Sequence, residues 1–466
     1  MRQLVTLLFN LTAVTLSILS LTIISYHVIY YWKGKKRNDQ ISIKFNEKPE
    51  ITILIPIKNE PVEIVNRVLK SLLKQTYPKE KMQIIIISDD SEEKFKKIEK
   101  KILREEKLKV ELYRRKKPKG FKAGAINHAI SKSRGEYIVI LDADAVLEEE
   151  YLEKAIGYMN SKRDVDIVAT CWQPLNPKET PISEAQSISL NYLTNVFFRS
   201  RREGAGPIIA PGSGCIIRRK LLEELGGLDE KCLAEDVELS IRTILSGRKV
   251  DFFEDAKIYV ENPEKYYVFK RQQARWIYGT NQVLIKYLGR ILTAKIPLSW
   301  KLGLIMHLTQ YQALLINIAL AIISATSLIL GEDLVAINNY YMPIFIIALG
   351  AMAYSYYDAA TQAGLTPKKS IINMGRGTAI ISSLTPTVII QDIKAIFRIG
   401  ERWYITPKGK KKSGKKICLT EIVIGTVGIL LAIILFLNRY MASASSIFTM
   451  SLPYLYVGIK TLMGKW

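Results

Sequence analysis

Cysteine and histidine are scarce in this sequence. Its four cysteines, Cys171, Cys215, Cys232 and Cys418, are widely separated and form neither a CxxC pair nor the dense spacing of a disulfide-stapled scaffold. Reduced, structural thiols are the expectation, as in the cytosol. The three histidines, His27, His128 and His307, are equally scattered, which speaks against a histidine-built zinc site. Negative charge is also short: 44 Asp and Glu stand against 67 Lys and Arg, a formal +23. That balance suits anionic partners, whether nucleic acid, lipid headgroups or phosphorylated substrates. No nucleic-acid module signature is present. The longest basic runs, at 33–37 and 408–416, adjoin apolar segments and read as juxtamembrane anchors. The expected partner is therefore a lipid bilayer, with no nucleic acid. No internal repeat or low-complexity tract is found.

Charge is nearly missing from the two ends of the chain. Residues Leu4 to Tyr31 are almost uncharged, exceed the roughly 20 residues that span a bilayer core, and lack a small-residue cleavage site. They predict an uncleaved transmembrane helix (1–32), and the basic stretch that follows places the next domain in the cytosol. Beyond Trp300, Leu302 to Leu330, Tyr341 to Leu365, Leu419 to Leu437 and the Ala/Ser-rich Met441 to Gly464 are predicted spans. Ile371 to Phe397 is interrupted by Arg376, Pro386, Asp392 and Lys394, and both its flanks are basic. It is expected to lie along the interface or re-enter without crossing. The expected organisation is thus a helix at 1–32, a cytosolic domain at 33–300 ending in interface helices, and a membrane region at 301–466. That region has about four spans plus an interfacial or re-entrant segment at 371–400. The product is a multi-pass protein of the cell membrane with its catalytic domain in the cytosol.

The charged middle has a different pattern. Ile51 to Pro56, Gln83 to Ser88 and Tyr137 to Leu141 are β-branched runs without polar alternation, as in strands buried on both faces. Helical periodicity lies between them, at Val62 to Lys74 and Ala123 to Ser131. The alternation predicts an α/β domain with a parallel sheet, whose ligands bind at the carboxyl ends of the strands. Acidic residues stand at two of those ends, Asp89-Asp90 and Asp142-Ala143-Asp144. Two carboxylates at such a rim suit Mg²⁺ or Mn²⁺ shared with substrate phosphates, although a solvated turn carries the same triplet.

Several further motifs follow in order: Ile55 to Glu60, Lys119 to Asn127, Pro211-Gly212-Ser213-Gly214, Ala234 to Arg242, and Gln272-Gln273-Ala274-Arg275-Trp276. With the acidic pairs they resemble family 2 glycosyltransferases, in particular the membrane-integrated processive synthases of the cellulose, mannan and hyaluronan type, over residues 50–290. The resemblance implies a GT-A-type, Rossmann-like cytosolic domain and a nucleotide-sugar donor. It implies that Asp90 contacts the nucleotide base with Asp89 nearby, although Ser91-Glu92 departs from the family's usual turn. Asp144 is implied as metal ligand, Asp142 as ligand to the metal or the ribose, and Lys122 as a cation of the donor loop. Asp236 is implied as the base that deprotonates the acceptor hydroxyl, with Glu235 beside it. Gln272 and Arg275 are implied to reach the pyrophosphate, and Trp276 to stack on the acceptor sugar. Trp172 resembles the family's glycan-facing strand end, and Trp403 to Gly409 its gating loop, with Tyr404 where the family has Phe.

The residues themselves allow plainer readings. Glu235 and Asp236 complement a helix dipole at its amino end, and Gln272, Arg275 and Trp276 share one face of an interface helix. The ordered set outweighs these readings. The expected activity is inverting hexosyl transfer from a nucleotide sugar, a UDP-sugar first, to make and translocate a β-linked polysaccharide. The alternatives are single-sugar transfer to a ceramide- or polyprenyl-phosphate-type lipid acceptor, and a transporter with a vestigial domain.

Overall fold

Runs of isoleucine and valine build the centre of the protein. In the computed structural model, which describes residues 2–34, 47–103, 108–204, 206–337, 342–400 and 418–466, eight strands form, the three expected ones among them. They are β1 Ile51–Ile57, β2 Met82–Ser88, β3 Val110–Arg114, β4 Tyr137–Ile140, β5 Val146–Leu147, β6 Ile167–Pro174, β7 Cys215–Arg218 and β8 Val250–Val260. They make one sheet ordered β3-β2-β1-β4-β7-β6-β8-β5. Ile84, Ile85, Ile86 and Ile87 of β2 are all wholly buried, so both faces of this strand are covered, as unalternated apolar runs require.

Ile51, Ile53, Ile55 and Ile57 point to one side, where Val65, Val68 and Leu72 of the Val62–Leu73 helix and Leu152 and Ile156 of the Tyr151–Ser161 helix meet them. Leu54, Ile85 and Ile87 point to the other, toward Ala123 and Ile126 of Phe121–Ile130 and Leu239 and Ile241 of Glu235–Leu245. Val283 and Tyr287 of the long Tyr266–Thr293 helix join that second layer. The domain is therefore a three-layer α/β sandwich.

The sheet is mixed rather than wholly parallel, which corrects the expectation from alternation. β3, β2, β1 and β4 run parallel, but β7 runs antiparallel to both β4 and β6, and β5 antiparallel to β8. After several intervening elements the chain re-enters the sheet at the carboxyl end of β4: Gly214, at φ +74°, donates its N–H to the Ile140 carbonyl at 2.7 Å, and Cys215 starts β7 opposite Ile140. A left-handed backbone at this turn suits glycine.

Four helices among the described residues are long and apolar enough to cross a membrane: Asn10–Trp32, Gln312–Leu330, Pro367–Ile396 and Leu419–Leu437. The apolar stretch from Leu302 is not one helix. It divides into Leu298–Leu308 and Leu315–Leu330, the second led in by a 3-10 turn at Gln312–Leu314, and Tyr311 and Gln312 at this junction bond polar partners on Tyr266–Thr293. Tyr311 donates to Gln273 at 2.9 Å, and Gln312 donates to Asn281 at 2.8 Å. The interrupted segment is likewise two helices, Pro367–Ser382 and Thr385–Ile396, separated just before Pro386. Helices Leu419–Leu437 and Met441–Leu462 form a hairpin. A Cβ added at Gly425 would lie 2.7 Å from Leu455, and one at Gly458 would lie 2.5 Å from Ile422, the close approach that small residues allow between membrane helices. The four cysteines are unpaired and buried. The gating-loop motif at 403–409 and the basic run at 408–416 lie outside the described residues.

Candidate active site

The carboxyl ends of β1, β2 and β4 meet where strand order reverses, with β2 and β3 on one side of β1 and β4 on the other. Crevices of doubly wound sheets form at such points. Asp142 and Asp144 leave β4 at this rim. Asp142 is held by its backbone N–H, which donates to the Ser213 hydroxyl at 3.0 Å. The neighbouring Ser213 carbonyl accepts the Trp172 indole N–H at 2.8 Å. The Pro211–Gly214 loop therefore sets both the acidic turn and the tryptophan at the end of β6.

Lys122 reaches across the same loop. Its Nζ lies 2.8 Å from Asp142 Oδ1 and 3.4 Å from Glu235 Oε1, and donates to the Gly212 carbonyl at 3.0 Å. Burial alone would lower the Lys122 pKa, but Asp142 and Glu235 together outweigh it and leave it raised, so the side chain stays an ammonium. Burial is also the largest influence on Glu235 and pushes its carboxyl up. The Lys122 and Arg275 cations oppose that rise, and the Asp236 charge adds to it. Glu235 is buried, whereas Asp236 is partly open.

Asp236 sits in the first turn of Glu235–Leu245, and its Oδ1 accepts the Val237 N–H at 2.9 Å. A Cβ at Gly212 would stand 2.9 Å from Asp236 Oδ2, so this glycine leaves room for the carboxylate. Gln272, Arg275 and Trp276 are each partly exposed on the Tyr266–Thr293 helix. That helix approaches the acidic one closely, since a Cβ at Gly279 would lie 2.7 Å from the Ala234 Cβ. Gln282 fixes the register by accepting the Leu233 N–H at 3.0 Å. The start of the helix is anchored in the membrane region, where Lys270 Nζ pairs with the buried Glu421 at 2.6 Å.

Asp89 and Asp90 occupy the rim but are already engaged. Arg115 grips both oxygens of Asp89 at 2.6 Å and donates to the Lys119 and Phe121 carbonyls, holding the loop that leads to Lys122. Asp90 accepts the Asn59 N–H at 2.8 Å and the Ser88 hydroxyl at 3.0 Å, and lies 3.3 Å from Lys94. Residue types alone do not identify Arg115, Gly212, Ser213 or Gly279 as partners in the site. The glycine and serine stood in a noted motif, but their roles depend on what approaches them.

The described residues contain no group of three or more His, Cys, Asp or Glu placed to hold a metal. Asp142 and Asp144 offer a partial, all-oxygen set. This fits a hard divalent ion that takes one or two carboxylates and completes its shell with water and phosphate, and does not fit a softer one.

The architecture is that of GT-A glycosyltransferases. The mannosyltransferase PcManGT from Pyrobaculum calidifontis, solved with GDP-Man and Mn²⁺, aligns with a TM-score of 0.54 at 18% identity, covering 83% of this chain and 98% of that one. Residues 137–329 match glycosyl transferase family group 2. A probable glycosyltransferase of Sulfolobus acidocaldarius is 29% identical over 406 residues, 86% of this chain and 87% of that protein. Probable glucomannan 4-beta-mannosyltransferase 14 of Arabidopsis thaliana is 28% identical over 279 residues, 58% of this chain and 52% of that protein. The chain thus spans about half the length of the plant relative. It carries a family 2 glycosyltransferase domain.

Proposed function

We propose that the protein transfers a hexose, with inversion, from a nucleoside-diphosphate sugar to an acceptor hydroxyl. The observation that carries this reading is the gathering of Lys122, Asp142, Glu235 and the partly open Asp236 at one rim, with Arg275 close enough to act on the Glu235 carboxylate. The diphosphate of the donor lies on the Lys122 and Arg275 side, where cations offset the charge that grows on the leaving group. Asp142 and Asp144 would hold Mg²⁺ or Mn²⁺, which when bound supplies further charge neutralisation at the diphosphate. Trp276 offers its indole to the apolar face of the acceptor sugar. Asp236 takes the proton of the acceptor hydroxyl as that oxygen attacks the anomeric carbon from the face opposite the diphosphate. Glu235, buried and paired with Lys122, positions rather than reacts.

The plant relatives' names include β-mannosyl transfer, which supports a β-linked polysaccharide as product over a glycolipid. The PcManGT complex contains GDP-Man, so GDP-mannose stands beside UDP-sugars as donor. Purified protein is incubated with radiolabelled GDP-mannose, UDP-glucose and UDP-N-acetylglucosamine, with Mg²⁺, Mn²⁺ or chelator, and the product is extracted into organic solvent. Label that stays out of the lipid extract and yields to a β-glycanase supports polymer synthesis. Label confined to the extract supports the lipid acceptor, and full activity in chelator removes the metal from the reading.

A further inference from the structure

Away from the rim, an open cleft of about 560 Å³ is lined by helices Pro367–Ser382 and Met441–Leu462. Its walls are apolar, with Ile372 and Leu452 each nearly half exposed and Pro453 between them. Two cations stand in it, Arg376 and Lys460. Arg376 Nη1 lies 3.3 Å from Glu184 and 3.1 Å from Asn373 Oδ1, so one carboxylate already faces it. Lys460 lies 6.0 Å from the centre of the Tyr456 ring, and among the described residues no carboxylate is paired with it. The cleft therefore retains net positive charge beside exposed hydrocarbon. The phosphate and acyl chain of an anionic lipid match both halves of this combination.

The location agrees. Lys460 is in the last turn of Met441–Leu462, and the basic flanks of the 371–400 segment lie on the cytosolic side in the topology proposed from charge bias. The cations therefore sit at the inner headgroup level, with the apolar walls reaching toward the acyl chains. None of Asp142, Glu235, Asp236 or Trp276 lines the cleft, so its occupant is not the acceptor.

We propose that this cleft binds an anionic glycerophospholipid of the inner leaflet, its phosphate on Arg376 and Lys460 and an acyl chain along Ile372 and Leu452. Because Arg376 also holds Glu184 of the Pro181–Asn191 helix, the lipid braces the catalytic domain against the membrane. The assignment rests on the membrane orientation of the proposed function but not on its chemistry.

Gly375 provides the test. A Cβ built there meets no atom within 4 Å, so the side chain of Gly375→Phe starts in open space among the residues lining the cleft, and replacing a helical glycine does not weaken the helix. Full-length protein in detergent is titrated with phosphatidylglycerol, phosphatidylcholine, farnesyl phosphate and inorganic phosphate, and read by native mass spectrometry and thermal unfolding. Phosphatidylglycerol should bind and raise the unfolding temperature. Lys460→Ala should weaken it about fivefold, the effect of one basic residue near a headgroup, with Lys460→Arg restoring it. Gly375→Phe should abolish it, while nucleotide-sugar binding persists in both variants as evidence of fold. Equal binding of phosphatidylcholine would overturn the role of charge. Protection by inorganic phosphate alone would overturn the lipid, and preference for farnesyl phosphate would make the cleft an acceptor site. Unchanged binding in Gly375→Phe would place the lipid elsewhere.

Discussion

Asp236 and Lys122 divide the work of the rim, and their substitutions should fail in different ways. Asp236→Asn keeps the shape and the Val237 cap but removes the base, so transfer should fall by ~10²–10⁴-fold while the donor Kd stays near its original value. Loss of donor binding in step with transfer would make Asp236 a structural group. Lys122→Met leaves Glu235 buried without its nearest cation. Breaking such a pair from one side costs on the order of 3 kcal/mol, less whatever Glu235 recovers by taking up a proton. The variant should melt earlier and bind donor weakly. Adding Glu235→Gln should restore the melting temperature, because the uncompensated charge is gone, but not donor affinity. Recovery of both would mean that Lys122 never meets the diphosphate. Asp142, Asp144, Asp236 and the Gln272/Arg275/Trp276 pattern were legible as residues because their spacing is local. The partners of Lys122 were not, since Glu235 lies more than a hundred residues on.

Helix 266–293 presents Arg275 and Trp276 only as well as it seats against the turn before Glu235. Gly279→Ala would place a Cβ 2.7 Å from the Ala234 Cβ and 2.8 Å from its backbone nitrogen, forcing the two helices apart. A misplacement near 1 Å costs about 10²-fold in rate, so transfer should drop by that order while donor binding changes little. Adding Ala234→Gly should recover part of the loss, since the backbone nitrogen remains in the way. An unaffected rate would show that the helix tolerates the shift. Strands β1, β2 and β4 and the helices between them were readable from β-branched runs and 3.6-residue periodicity. The antiparallel β7 was not, because its direction follows from where the chain re-enters the sheet, beside Ile140 and several elements after β4. Nor was the break at Tyr311, where polar side chains find partners on another helix.

At the scale of the whole molecule, Pro367–Ser382 and Thr385–Ile396 are proposed to begin and end on the cytosolic side. Cysteines introduced at Lys368 and Arg398, both exposed, should resist a membrane-impermeant maleimide in sealed right-side-out vesicles and react once the membrane is opened. Labelling of Arg398→Cys but not Lys368→Cys from outside would make the segment a span and reverse the helices after it.

By itself, the sequence determined the class of the domain, the apolar ends and the ordered acidic and aromatic motifs, because strand, helix and span each leave a short-range imprint on composition. Tertiary structure alone decided what those motifs touch. It placed Lys122 between Asp142 and Glu235, cleared a space for Asp236 at Gly212, and opened a cationic cleft between two helices about seventy residues apart. Coulomb attraction and close packing act between atoms near in space, and nothing in a linear pattern records which distant residues folding brings within their reach.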